Sequence, residues 1–149
     1  MEILHLIWGV KTQAIFDVWS IEHLISGISF GSAVKKKNHK ILGKLLGRKK
    51  HDLHSWYFGI MGIAAIAYLW ETIEHYLEIG LGGEWLEFWF QGVEFWPNRI
   101  MADPLLMILG YVIAKKFPTI IWPIRIVSIT WVIVHLFVFP HSMWLHEIF

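Results

Sequence analysis

A chain of 149 residues that is 56% hydrophobic, with ten Trp and ten Phe, carries more apolar surface than a soluble domain of its size is expected to bury. The formal net charge of +1 hides a segregated distribution: eight of the thirteen Lys and Arg fall in residues 35–50, while acids gather in residues 71–94. With no Cys, disulfide and thiolate chemistry are excluded.

The N-terminal MEILHLIWGV has an acid at position 2, no basic opening and no small-residue cleavage site, so no signal peptide is expected. Residues 3–10 read as a short interfacial segment. A first membrane span is predicted over residues 13–34, where Ser20, His23, Gly27 and Gly31 form a small, polar ridge with a close-packing Gly-x-x-x-Gly spacing. A basic loop, residues 35–51, follows; it sets topology and touches anionic lipid, and nucleic acid is not an expected partner. The second span, residues 53–77, is continuous enough to cross about 30 Å of hydrocarbon. Glu71, Glu74, His75 and Glu78 share one of its faces, which runs on through Ala67 and Ala64. Over residues 83–96 Trp85, Phe88, Trp89, Gly92, Phe95 and Trp96 recur at helical spacing, with Glu84, Glu87, Gln91 and Glu94 opposite. That pattern predicts an amphipathic interfacial helix whose acids face water or a partner. The third span, residues 98–114, aligns Arg99, Asp103 and Gly110. Pro118 and Pro123 frame a tight turn into the fourth, residues 119–140, which carries Ser128 and His135.

The expected fold is therefore all-α: a polytopic four-transmembrane-helix bundle forming one domain over residues 1–149, with an interfacial helix between spans two and three. The positive-inside rule puts the basic loop and Lys115–Lys116 in the cytoplasm and both termini outside, in a prokaryotic inner or plasma membrane. Counted at 1.5 Å per residue, His23 and Asp103 lie about 18 Å from their inner ends, and Asp17, Glu71 and His135 about 24–27 Å. All five fall in the outer half of the bilayer, where charge is costly and marks a functional site.

Two chemistries suit such a site. In the first, His23 and Glu71 act as acid and base with support from Glu74 and Asp103. Arg99, Asp17 and Asn98 then bind an anionic, lipid-linked or amphipathic substrate. In the second, His23, Glu71, His75 and His135 ligate a divalent metal (Fe, Zn or Mn), as carboxylates and imidazoles on facing helices do in di-metal bundles. An alternative function is that of a non-catalytic accessory subunit of a larger membrane complex, docked through its Trp residues, the acidic amphipathic face and the Gly27/Gly31 and Gly59/Gly62 patches, whereas a monomer or homo-oligomer favours the polar site. Plainer explanations exist for single residues. Asp103 before Pro104 is a natural N-cap, Arg99 and Asp103 can pair at i, i+4, and Glu74 and Glu78 can sit in wet headgroups.

Asp17 with His23-x-x-x-Gly27, Glu71-x-x-Glu74-His75, and Asn98-Arg99-x-x-x-Asp103 with Leu109-Gly110 resemble the pattern of the VanZ-like and YjdF-like small membrane proteins. The resemblance covers three of the four spans and about ten positions. It implies association with the cell envelope and, in some members, lowered sensitivity to lipoglycopeptides.

Overall fold

The computed structural model describes residues 3–45, 47, 56–90 and 92–138. It is all-α, and among the described residues the only extended pairing is an isolated bridge between Trp8 and Phe16. The helices are α1 (Ile3–Ile7), α2 (Val18–Leu45), α3 (Trp56–Glu78), α4 (Glu84–Phe90), α5 (Asp103–Lys116) and α6 (Ile121–Ile133). A π-turn, Asn98–Ala102, leads into α5, and a second, Val134–Val138, continues α6.

Several boundaries differ from the sequence expectation for local reasons. The basic stretch is no simple loop, because α2 continues to Leu45. Its Lys and Leu are good helix formers with no Pro among them, and Gly47, at φ 58°, lies just beyond the end. The interfacial helix over residues 83–96 shrinks to the seven residues of α4. Gly92, at φ 97°, takes the left-handed conformation that only glycine adopts freely, and the chain turns inward there. Gln91, on the acidic stripe of that segment, lies outside the described residues, as do residues 53–55 of the second span and 139 and 140 of the fourth.

Helix α2 is central, touching α3, α5 and α6. Its contact with α5 is backbone on backbone: a Cβ at Gly27 would fall on the carbonyl oxygen of Met107, and one at Gly110 on that of Leu24. Tyr111 fills the space beside this crossing. Its ring lies over Gly31 and its hydroxyl over Gly59, so these glycines serve internal packing and not docking. Ile63, Ala67, Met107 and Tyr111 form the apolar core between α3 and α5.

No single helix among the described residues is long and apolar enough to cross a membrane. Asn98–Lys116 and Pro118–Ile133 qualify only as a pair, and their axes turn by 111° at the break. The surface is nonetheless rich in large apolar side chains, among them Leu69 and Ile73 on α3, Leu105 and Leu109 on α5, and Trp122 and Ile126 on α6.

Asp17 starts α2. Its Oδ1 accepts the amides of Trp19 (2.7 Å) and Ser20 (3.0 Å), while its own amide donates to Ser20 Oγ, a reciprocal capping arrangement. Asp17→Ala removes this cap and orphans the Asn98 amide that donates to Oδ2. The expected loss is about 2–4 kcal/mol, read as a lowered denaturation midpoint, where a cap alone would account for about 1.

A candidate cation site among three helices

The buried polar residues gather at one end of the bundle. Asp17, Glu71, Glu74, Glu78, Glu94 and Asp103 are all buried, and two cationic side chains, Lys11 and Arg99, lie among them. Burying charge is tolerable only where it is paired. The distribution of pairing therefore decides what this cluster is.

One part is well compensated. Glu78 accepts Lys11 Nζ on Oε1, and on Oε2 both the Arg99 guanidinium and the amide of Glu94. Arg99 also donates to His75 Nδ1 (3.1 Å) and approaches Glu94 Oε2 (3.4 Å) and Glu71 Oε2 (3.8 Å). Asn98 spends both amide hydrogens, one on Asp17 Oδ2 (3.2 Å) and one on Glu94 Oε1 (3.0 Å). Burial pushes the Glu94 carboxyl up to about 11, and the charges of Glu74, Asp103, Glu71 and Asp17 act the same way. It thus keeps its proton at neutral pH and supplies the hydrogen of its bond to Glu71.

The other part is not compensated. His23 on α2 points at α3 and α5, with Nε2 3.3 Å from Glu71 Oε1 and 3.2 Å from Asp103 Oδ2. Neither approach has hydrogen-bond geometry: no donor reaches Asp103 Oδ2, and none but the Glu94 carboxyl reaches Glu71. One ligand atom each from His23, Glu71 and Glu74 lies within 4.8 Å of the others, and all three residues are buried. Donor atoms around a tetrahedral first-row ion, ligated at roughly 2.0–2.1 Å, stand about 3.3–3.4 Å apart. The two His23 separations match that edge length, and Glu74 must close slightly to join them. One imidazole with several carboxylates suits Zn, Mn or Fe better than a soft or a purely oxygen-seeking ion.

The helices explain the convergence. Glu71 and Glu74 sit one turn apart on the α3 face that continues into buried Ala67. His23 lies one turn before Gly27, where α2 and α5 touch, so the close crossing carries its imidazole to Asp103. Asp103 does not cap α5, because the π-turn runs directly into that helix. Its Oδ1 accepts Ser20 Oγ instead (2.7 Å). π-Turns of this kind are frequent at functional sites.

Thus His23, Glu71, Glu74 and Asp103 come together, with Asp17, Asn98 and Arg99 immediately around them. His75 belongs to the Arg99 pair and not to the candidate ligands, since at i+4 from Glu71 it faces the guanidinium. The side chain of His135 lies outside the described residues. Glu22 is turned away: its Oε1 accepts Ser26 (3.0 Å) and Ser128 (2.9 Å), tying α2 to α6. Glu78 is deeply buried and not in a wet headgroup layer, and Glu94 faces inward, not toward water.

Sequence reasoning overlooked Lys11. Its signal was available as a lone cation in the apolar run Ile3–Phe16. Comparison with family models, curated proteins and solved structures gives no match, so the functional reading rests on this chain's own residues.

Proposed function

We propose that this chain is a small integral membrane protein whose helical bundle holds one divalent transition-metal ion between His23, Glu71 and Glu74, with Asp103 as the adjoining fourth donor. The observation that carries the reading is the group of mutually close, buried donors His23, Glu71 and Glu74, with Asp103 Oδ2 beside His23 and, like the Glu71 oxygens, short of the donors that a closed carboxylate needs. With Glu94 protonated, five further buried carboxyls face two cations, an excess of acid that a dication offsets.

The membrane part rests on inversion of the usual pattern. Charged groups gather at one end of the interior while Trp70, Ile73, Leu105, Trp122 and Ile129 lie on the outside. Lipid is the partner such a surface fits. The exposed Lys40 and Lys44 near the end of α2 suit the cytoplasmic side, and by the positive-inside rule the cation site would then face the outer leaflet.

A reaction on a lipid-linked molecule would require Arg99, Asp17 and Asn98 to be available, and each is occupied by a protein partner. A closed site with protein donors from three helices fits a structural ion that ties α2, α3 and α5 together. The test is direct. The protein should resist alkaline carbonate extraction from membranes and, after chelation in mild detergent, bind about one equivalent of Zn2+. Metal binding below about 0.2 equivalent by elemental analysis would overturn the cation reading. Release into the carbonate supernatant would overturn the membrane reading.

A further inference from the structure

Lys11 is fully buried, an unusual fate for a lysine. The N-terminal segment is built to hold it there. The amides of Ile15 and Phe16 donate to the carbonyls of Leu6 and Ile7, closing a loop, and the amide of Phe95 donates to the carbonyl of Lys11 itself. The ammonium then lies against Glu78 Oε1, 3.9 Å from Glu74 Oε1 and 5.4 Å from the centre of the Phe90 ring. Glu74 is thereby shared. It belongs to the His23 and Glu71 donor group and also faces Lys11. Its charge interacts with that ammonium, as do those of Asp17 and Asp103.

A carboxylate with a cation site on one side and a fixed ammonium on the other has the layout of a bridge between two cation positions. Lysine is a compact point charge on a flexible stem, well suited to standing where an ion would stand. We propose that Lys11 is a tethered cation occupying a second metal position, bounded by Glu74 and Glu78, and that it restricts the site to a single ion.

This inference rests on the His23–Glu71–Glu74 cation site, and stoichiometry separates the two. Wild-type protein in mild detergent, stripped with chelator and titrated with Zn2+, should bind about one equivalent, and Lys11→Met about two. Lys11→Arg, which keeps a fixed charge, should stay at about one. Glu78→Gln in the Lys11→Met background should return the count to about one, because the extra ion loses its carboxylate. Arg99 pairs with the other oxygen of Glu78, so that carboxylate keeps a cationic partner when Lys11 is replaced. Lys11→Gln, whose amide can reach Glu78, provides the same readout if the methionine variant does not fold. One equivalent in both wild type and the neutral Lys11 variants overturns the tethered-cation proposal and leaves the first site standing. No binding by wild type overturns both.

Discussion

Glu71→Gln is expected to weaken Zn2+ binding by at least about 100-fold while making the metal-free protein more stable. The two effects have one origin. Glu71 stands near Glu74 and Asp103, and the Arg99 guanidinium that approaches it is already engaged by Glu78. With an ion present, its carboxylate is a charged ligand that an amide replaces poorly. Without one, it is an acid among acids, and the isosteric amide relieves crowding at almost no steric cost. A gain of about 1–3 kcal/mol in the metal-free state is expected, read as a raised denaturation midpoint in chelator. His23→Ala should weaken binding as strongly but lower the metal-free midpoint, since it leaves a cavity at a buried position without removing a carboxylate. A pair of variants that lose metal equally but move the midpoint in opposite directions would identify a cation site. If Glu71→Gln instead destabilises the stripped protein, the carboxylate is held by protein partners and the cation reading fails.

Gly27→Ala, with Gly110→Ala, should be the most damaging methyl addition among the described glycines. The added Cβ meets a backbone carbonyl, and a carbonyl in the middle of α5 cannot swing aside as a side-chain tip can. Helices α2 and α5 must separate, at a cost of about 3 kcal/mol or more, the upper end for overpacking. Gly110→Ala meets the reciprocal obstacle, the carbonyl of Leu24. Because His23 and Asp103 ride on these same helices, Zn2+ affinity should fall together with stability, although neither glycine touches the site. Ala65→Leu, on the exposed side of α3, adds more volume and should change the midpoint by less than about 0.5 kcal/mol. Equal tolerance of Gly27→Ala and Ala65→Leu in a denaturation series would contradict the close crossing.

What the sequence revealed follows from periodicity. Glu71 and Glu74 stand one helical turn apart above Ala67 and Ala64, so their inward direction could be read before any coordinates. His23 on the Gly27/Gly31 ridge was legible in the same way. Lys11 and Glu94 were not, because non-helical segments hold them. Their directions depend on the turn at Gly92 and on pairing between residues 6–9 and 15–16, and neither repeats along the chain. His75 shows the limit of face arguments. The stripe carrying Glu71 and Glu78 is wide enough to include it, but Arg99, arriving from a π-turn of different pitch, draws the imidazole aside. The cap expected at Asp103 exists at Asp17 instead, since the helix expected to begin at Asp103 is already under way there.

The partners in this cluster lie far apart in the chain: Lys11 and Glu78 by 67 residues, Ser20 and Asp103 by 83. At about 5–20 residues per second, a ribosome needs roughly 4–17 s after making Ser20 before Asp103 exists to receive it. During that interval Asp17 and His23 have been synthesised without their eventual neighbours. Helix α2 therefore cannot settle into its final position alone and must wait for α5. A chain ending before residue 98 should leave α2 open to limited proteolysis, and one extended past residue 110 should protect it.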